Sequence, residues 1–355
     1  MLDITVQVFA GGYKSAPADF GRVREKLEDV LNRIPATRVI MGWTPAPELY
    51  GRVRDFLRQR GVEFFLWLPV FSETGRMKPC VPVTDWAGGT AAGNADGAEE
   101  DFAFLCPNEP QNVRAALSVF NENFANIGFD GVFLDRIRYP SFAAGADAGF
   151  GCFCPRCREA YTRAGADTTA LMRGQGRIFD DPAWRDFLKI KAQSVTESVG
   201  ALCGELRNRG FKIGLDVFAP FLSRFVGQDI PALSRLADFV KPMMYRKTFA
   251  PAGIPFEWDA LKLRTGISPP FAPDLDFCAG DLAELVKSAD CPVYAGVEWN
   301  RVPGIARPTP GYIHESLGAY AAAGARGFVL SWNALDAPLE NTAAAAQWLN
   351  HRAGR

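Results

Sequence analysis

Residues 128–142 read GFDGVFLDRIRYPSF, and they carry the clearest structural pattern in the chain. A glycine turn leads into the apolar run Val132–Leu134, which ends at the carboxylate of Asp135. A short apolar run bounded by a turn and rich in β-branched and aromatic residues predicts a buried strand. A carboxylate at the exit of a buried strand requires either a charged partner or a functional role.

The same pattern recurs seven more times, and an amphipathic, helix-like stretch separates most of these runs. Near-continuous apolar strands that alternate with helices predict a parallel sheet covered on both faces. Eight such units predict an α/β fold, a single (β/α)8 TIM barrel spanning residues 1–355. An open doubly wound sheet is the alternative, but FAGGYKSAP after the first run lacks the glycine spacing of its phosphate-binding loop. The eight runs, each predicted to contain a strand, are residues 4–13, 37–45, 62–71, 130–139, 212–220, 239–245, 292–300 and 327–334.

Long loops follow the third, fourth and sixth predicted strands. The first two are residues 72–107 and 140–180, and the third is residues 246–274. In a parallel barrel these loops lie on the C-terminal face, where active sites are built. We therefore expect 72–107 and 140–180 to be insertions that shape a substrate cleft, with family-specific padding as the alternative.

Composition narrows the class of protein. The net charge is −1 and charged residues make up 22% of the chain, so nothing indicates a nucleic-acid or anionic-membrane partner. The longest apolar runs fall short of the roughly 18 residues that would span a bilayer. The first residues read as a strand and not as a signal peptide, which predicts a cytoplasmic protein. Two histidines are too few for a catalytic metal held on several imidazoles.

Acidic and aromatic residues gather at the ends of predicted strands. Asp135, Asp216 and Glu298 end strands four, five and seven. Paired carboxylates supply the acid and the base or nucleophile of glycoside hydrolysis, and indoles offer flat apolar faces to sugars. The structural alternatives are that Asp135 pairs with Arg136 or Arg138, and that Glu298 is a peripheral hydrogen-bonding residue. The tryptophans predicted to line the site, each with a core position as its alternative, are Trp43, Trp67, Trp299 and Trp332.

Strand six adds a lysine and a tyrosine. Tyr245 ends this strand, and if it points inward, alternation places Lys241 inside the barrel as well. A buried ammonium is costly unless a carboxylate such as Asp216 or Asp135 pairs with it. Asp216 could therefore serve only to neutralise Lys241.

Four of the eight cysteines form a pattern. Cys152, Cys154 and Cys157 lie in GCFCPRC, and Cys106 lies in the preceding predicted loop. Thiolates at this spacing, with a fourth from a neighbouring loop, predict a tetrahedral Zn²⁺ site. Four sulfurs leave no open position, so this zinc would be structural and would join the two long loops. The alternatives are unligated buried thiols, a redox pair and an iron–sulfur centre.

The strand-four stretch FDGVFLDRIRYP resembles the DGxxxDxxRxP segment of a group of barrel glycoside hydrolases. Those proteins also carry a CPxNPxVR-like segment, seen here as LCPNEPQNVR, and a GQD…D…PMxY pattern, seen here as VGQDIPALSRLADFVKPMMY. The resemblance covers roughly residues 104–245. It implies that Asp135 is a catalytic carboxylate and that Tyr245 lines the subsite beside it.

Two further resemblances bear on the mechanism. The Met-x-Tyr segment and the strand of Trp332 are similar to those of chitinase-like barrels, which place a catalytic glutamate two residues after the strand-four aspartate. This chain has Ile137 there, which disfavours their mechanism and leaves Glu298 as the predicted partner of Asp135, because strand seven commonly supplies a carboxylate in retaining glycosidases. The cysteine set is similar to the zinc site of family 42 β-galactosidases.

These patterns lead to one hypothesis with two alternatives. We expect a glycoside hydrolase that cleaves an O-glycosidic bond in an oligo- or polysaccharide through Asp135 and Glu298, with Asp216 as a third carboxylate. Tyr245 and Lys241 are expected beside the sugar, and Arg138 either contacts it or braces the loop. The alternatives are a sugar-binding barrel without turnover, and a lyase or aldolase that uses Lys241 as a Schiff-base amine.

Overall fold

A computed structural model of the 355-residue chain describes residues 2–12, 16–72, 80–90, 103–173, 181–266 and 271–353. The parts of the two predicted insertions at 73–79, 91–102 and 174–180 lie outside the described residues.

Eight parallel strands close into a barrel in sequence order. The last strand pairs with the first, with Ile4 opposite Phe328 and Val6 opposite Leu330, so the sheet has no free edge. The predicted (β/α)8 barrel is confirmed, and the open doubly wound alternative is wrong. The strands are β1 (Asp3–Phe9), β2 (Arg38–Gly42), β3 (Glu63–Pro69), β4 (Gly131–Asp135), β5 (Lys212–Phe218), β6 (Phe239–Met243), β7 (Tyr294–Glu298) and β8 (Gly327–Ser331).

Helices cover the outside of the barrel and begin at clear sequence signals. Pro182 opens the longest of them, and the Asp181 carboxylate caps it by accepting a hydrogen bond of 2.9 Å from the Ala183 amide. The helices are α1 (Phe20–Arg33), α2 (Pro47–Arg58), α3 (Pro110–Asn123), α4 (Ala146–Gly149), α5 (Pro155–Arg163), α6 (Thr168–Arg173), α7 (Pro182–Arg207), α8 (Pro220–Ser223), α9 (Ile230–Ser234), α10 (Ile254–Thr265), α11 (Leu275–Ser288), α12 (Pro310–Ala322) and α13 (Leu339–Ala353).

Aromatic side chains fill the lower part of the barrel interior. The rings of Phe133 and Phe239 stack with centroids 5.9 Å apart, and Phe65 packs against Phe239. Gly214 makes room for them, since a Cβ there would lie 2.3 Å from Phe239. The ion pair between Arg38 and Glu63, at 2.7 Å, lies at the N-terminal ends of the strands. Because these side chains fill the N-terminal end of the barrel, a ligand can bind only at the C-terminal end of the strands.

The prediction that residues 246–274 form a loop is partly wrong, because this segment contains helix α10. Apolar residues at helical spacing, Ile254, Trp258 and Leu261, bury one face of this helix. Gly253 precedes the helix and Gly266 ends it in the left-handed conformation. These glycines therefore mark helix ends, and the irregular part of this connection is shorter than expected. The β4–α7 connection likewise contains α4, α5 and α6.

Candidate active site and metal centre

The predicted site residues lie at or near the C-terminal ends of their strands, but two of them sit lower than expected. Asp135 and Glu298 are the last residues of β4 and β7. Asp216 and Trp67 each lie two residues before the end of their strands, because β5 continues to Phe218 and β3 to Pro69. The expectation that Asp216 ends its strand is therefore wrong, and its side chain lies deeper in the barrel.

Asp135 is partly exposed at the barrel mouth. Its Oδ2 atom accepts a hydrogen bond of 2.9 Å from the Trp67 indole nitrogen, and its Oδ1 atom accepts one from the Arg136 amide. These two donors fix the orientation of the carboxylate. Asp216 and Glu298 are 2% and 0% exposed, so of the three predicted carboxylates Asp135 is the most accessible to a substrate.

Asp216 and Lys241 form a buried ion pair. The Lys241 ammonium donates to both carboxylate oxygens of Asp216 at 2.9 Å and also donates to the Tyr245 hydroxyl. The predicted pairing of the inward lysine is thus present, and Tyr245 is its third oxygen partner. Gly296 leaves space for the lysine, since a Cβ there would lie 2.7 Å from Lys241 Cε.

Asp135 and Asp216 are neighbours on adjacent strands. Leu134 pairs with Leu215, so the residues that follow them are side by side on strands about 4.8 Å apart. The pKa of Asp216 is raised to about 7, because burial and the charge of Asp135 together outweigh the lowering effect of the Lys241 ammonium. The carboxyl group of Asp216 can therefore hold a proton near neutral pH.

Glu298 is enclosed by groups from two other parts of the chain. One of its oxygens accepts a hydrogen bond from the Lys247 amide, in the loop after β6, and the other accepts one from the Tyr312 hydroxyl on α12. Burial raises the pKa of Glu298 to about 7, although both hydrogen bonds lower it. Burial raises the pKa of Tyr245 well above its usual range, and the charges of Asp216, Glu298 and Asp135 raise it further.

Aromatic side chains form one wall of the barrel mouth. Trp43 and Trp67 pack edge to face with centroids 5.6 Å apart, and Phe9 contacts both rings. Trp332 is partly exposed and packs against this cluster. Trp299 is fully buried in the layer between barrel and helices, so it offers no face on which a sugar could stack. Its predicted place in the substrate site is wrong, because it follows the inward Glu298 and alternation turns it outward.

Two arginines after β4 have different surroundings. Arg136 is partly exposed, and its guanidinium lies 4.9 Å from the Trp43 ring centroid. Arg138 is buried between the rings of Phe104 and Phe218, at 4.7 and 4.4 Å, and donates to the Tyr139 carbonyl. The position of Arg138 fits a brace for the loop better than a contact to a sugar.

Backbone strain is present at this mouth. Trp43 and Arg136 are not glycines, yet both have left-handed backbones, with φ of 85° and 53°. Such residues cost of order 1–3 kcal/mol each and persist where the surrounding structure holds them, often at functional sites. Here the strained pair brings a guanidinium onto an indole next to Asp135.

Sequence reasoning missed Glu257, a buried carboxylate on α10. Its Oε1 atom accepts a hydrogen bond of 2.8 Å from the Ala252 amide. Burial raises its pKa, while the nearby Arg138 guanidinium lowers it. The segment GIPFE carried the signal, since proline in the first turn followed by an acidic residue is typical of a helix start.

The four predicted cysteines meet in one place. All are buried and free of disulfides, and the sulfurs of Cys106, Cys152, Cys154 and Cys157 lie within 4.8 Å of one another. Cys106 Sγ is 3.8 Å from Cys154 Sγ and 3.4 Å from Cys157 Sγ. Four sulfurs about 2.3 Å from one zinc ion stand about 3.8 Å apart, so the cluster fits a tetrahedral metal ion.

The cluster joins the connections that follow β3 and β4. The Thr84 amide donates to Cys152 Sγ at 3.4 Å, and the Phe153 amide donates to the Thr84 carbonyl at 2.7 Å. On the other side, the Asn108 amide group donates to Cys157 Sγ at 3.8 Å. A metal bound here would cross-link two long connections on the face that carries Asp135.

No protein-family model matches the chain, and no curated protein matches it in sequence. The resemblances in the strand-four motif and to family 42 therefore remain predictions. Solved structures do match. The PgaB (BpsB) glycoside hydrolase domain from Bordetella bronchiseptica is 16% identical with a TM-score of 0.66, over 98% of this chain and 99% of that one.

Two other solved structures show the same architecture. A class V chitinase from Pseudomonas fluorescens Pf-5 is 11% identical with a TM-score of 0.53, over 98% of this chain and all of that one. An α-L-fucosidase from Paenibacillus thiaminolyticus is 12% identical with a TM-score of 0.55, over 99% of this chain and 49% of that one. At these identities the similarity shows a shared fold. Among the described residues no helix is long and apolar enough to cross a bilayer.

Proposed function

We propose that this protein is a glycoside hydrolase whose catalytic carboxylate is Asp135. The observation that carries the proposal is the setting of Asp135: partly exposed, oriented by the Trp67 indole, and beside the buried Asp216 in a barrel mouth walled by tryptophans. Trp332 is the partly exposed tryptophan of this wall, and its ring suits the apolar face of a sugar. The shared fold with barrels described as glycoside hydrolases supports the class of enzyme.

Asp216 is the better partner for Asp135 than Glu298. A two-carboxylate mechanism needs one group that holds a proton and one that is ionised. Asp216 is adjacent to Asp135 and its pKa is raised to about 7, chiefly by burial, so Asp216 can be the group that holds a proton. The oxygens of both candidates accept hydrogen bonds from the protein, so the position of Asp216 directly beside Asp135 decides between them. Glu298, in contrast, is bonded to the Lys247 amide and to Tyr312. We therefore assign Glu298 to positioning the loop after β6.

Lys241 is not proposed as a Schiff-base amine. Its ammonium is fully buried and donates to three oxygens of Asp216 and Tyr245. A carbonyl substrate would have to displace this pairing in a closed space. The arrangement suits a lysine that sets the charge of Asp216.

We further propose that the four-cysteine cluster holds Zn²⁺. Cys106, Cys152, Cys154 and Cys157 supply four sulfurs, which complete a tetrahedron and leave no position for water or substrate. The ion would be structural and would reduce the freedom of the connections after β3 and β4 beside Asp135.

The experiment is an activity screen on chromogenic glycosides and polysaccharides, followed by variants assayed on a substrate that the wild type cleaves. We expect Asp135→Asn and Asp216→Asn to lower kcat/KM by about 10²–10⁴-fold. Glu298→Gln should lower it less, because that residue acts through the loop. Asp259→Asn, an exposed carboxylate on α10, is the matched control. Wild-type turnover by Asp135→Asn would overturn the proposal.

A further inference from the structure

The loops after β6 and β7 pair to form a small ribbon at the barrel mouth, here called the β6–β7 ribbon and made of residues 247–249 and 305–307. Thr248 and Ala306 form an antiparallel bridge. The Phe249 amide donates to the Ile305 carbonyl at 2.7 Å, and the Arg307 amide donates to the Lys247 carbonyl at 3.1 Å. These bonds give two loops the regular spacing of paired strands.

A hydrogen bond connects the ribbon to the proposed active site. Glu298, the last residue of β7, accepts a hydrogen bond from the Lys247 amide, and Tyr312 holds the other Glu298 oxygen. Beyond the ribbon, Arg301 donates to the Pro308 carbonyl at 3.3 Å and forms an ion pair of 2.8 Å with Glu340. The backbone of the ribbon is therefore held in place before any ligand binds.

The ribbon exposes an aromatic ring with one cation over it, and a second cation lies two residues earlier in the same segment. Phe249 is 37% exposed, and Arg307 lies over its ring at 4.3 Å from the centroid. Lys247 and Arg307 are both exposed. Across the described ranges of the chain, no carboxylate oxygen lies within 4.0 Å of either cationic group. These charges are thus not used to neutralise acidic groups in that part of the protein.

The same combination occurs next to Asp135. There the Arg136 guanidinium lies over the Trp43 ring, at 4.9 Å from the centroid. A cation on an aromatic ring suits an acidic sugar, because the ring packs against sugar C–H groups while the cation binds a carboxylate or sulfate. An acidic sugar would give Lys247 and Arg307 a partner of opposite charge, and a cationic sugar would be repelled.

We propose that Lys247, Phe249 and Arg307 form an outer subsite for an anionic polysaccharide, whose acidic residues carry carboxylate or sulfate groups. Arg136 binds another acidic group of the same polysaccharide, close to Asp135. The proposal rests on the proposed glycoside hydrolase function and adds the substrate class to it. It also gives Glu298 a role, because its bond to the Lys247 amide sets the position of the subsite.

Binding is measured by calorimetry in the Asp135→Asn background, so that cleavage does not alter the ligand. The probes are hexagalacturonate, a sulfated carrageenan hexasaccharide, neutral cellohexaose and a cationic chitosan hexamer. We expect an anionic hexamer to bind most tightly, and to bind more weakly as sodium chloride rises. Comparison of galacturonate with carrageenan tells carboxylate from sulfate recognition.

Variants locate the subsite. Adding Lys247→Ala and Arg307→Gln together should weaken binding of the preferred anionic hexamer at least about tenfold, since both charged contacts to the ligand are removed. Arg326→Gln, an exposed arginine next to the N-terminal end of β8, is the matched control and should leave binding unchanged. An unchanged affinity in the double variant, or tighter binding of the neutral or cationic hexamer, would overturn the subsite.

Release of reducing ends by the wild type is measured separately. A protein that binds an anionic hexamer through the ribbon but cleaves none of its bonds supports the subsite and contradicts the hydrolase. A protein that cleaves only neutral glycosides supports the hydrolase and contradicts the subsite. The two proposals therefore fail in different assays.

Discussion

Lys241 Nζ lies 2.9 Å from both carboxylate oxygens of Asp216, and neither side chain is more than 2% exposed. The two residues face each other on adjacent strands, with Asp216 directly opposite Lys241 in the register. This pair sits under the barrel mouth and next to Asp135. It links the stability of the barrel to the charge of its proposed active site.

Removing one partner of this pair should be costly. Lys241→Met leaves the Asp216 carboxylate buried without its cation, and we expect the free energy of unfolding to fall by about 3–5 kcal/mol. The double variant Lys241→Met, Asp216→Leu should recover most of that loss, because no buried charge remains. Urea denaturation of both variants measures the difference. Equal losses in the single and double variants would contradict the pairing.

Gly296 should be intolerant of a side chain. An alanine Cβ would lie 2.7 Å from Lys241 Cε and 2.9 Å from the Pro242 carbonyl oxygen, so the lysine would have to move. We expect Gly296→Ala to lower the free energy of unfolding by about 1–3 kcal/mol. Gly280→Ala on α11 is the control: its Cβ meets nothing within 4 Å, and alanine should stabilise the helix by about 0.5–1 kcal/mol. Thermal melts compare the two, and a stabilised Gly296→Ala would refute this packing.

Glu298 should make folding pH-dependent. Its pKa is raised from 4.5 to about 7, so the folded state binds a proton that the unfolded state releases above pH 4.5. The stabilisation is complete below that value and is lost as pH rises towards 7. The shift of about 2.5 pKa units corresponds to about 3 kcal/mol. Glu298→Gln should therefore reduce the fall in unfolding free energy between pH 4.5 and 8 by about that amount.

Tyr312→Phe is the companion variant for this measurement. It removes a hydrogen bond that lowers the pKa of Glu298, so the loss of stability should extend to higher pH than in the wild type. Denaturation at pH intervals from 4.5 to 8 follows both variants. An unaltered pH dependence in Glu298→Gln would show that another group is responsible.

The cysteine cluster should bind one zinc ion per chain. Elemental analysis of protein purified without chelator should give about one zinc per chain, and Cys154→Ser should reduce this to below about a tenth and lower the melting temperature. Cys291→Ser, outside the cluster, should change neither quantity. Iron in place of zinc, or no metal with an unchanged melting temperature in Cys154→Ser, would refute the zinc site.

The contacts of Glu298 and the position of Trp299 could not be predicted from their own strand. The Glu298 partners come from the loop after β6 and from α12, and no local pattern specifies how these approach β7. The position of Trp299 at the end of β7 indicated that it lies near the C-terminal face of the barrel. Packing against the surrounding helices decides whether its ring is accessible. Glu257 was missed because its helix was interpreted as a loop.

Local physics determined much of the rest. Strand length, apolar content and the alternation of strands with helices were sufficient for a closed barrel, because a parallel sheet must bury both faces. The cost of an unpaired inward ammonium identified Asp216 as a possible partner of Lys241, and the cysteine spacing identified the four-sulfur cluster. Only the tertiary structure decided which carboxylate stays accessible and which are enclosed, because exposure depends on connections that approach the barrel mouth from distant parts of the chain.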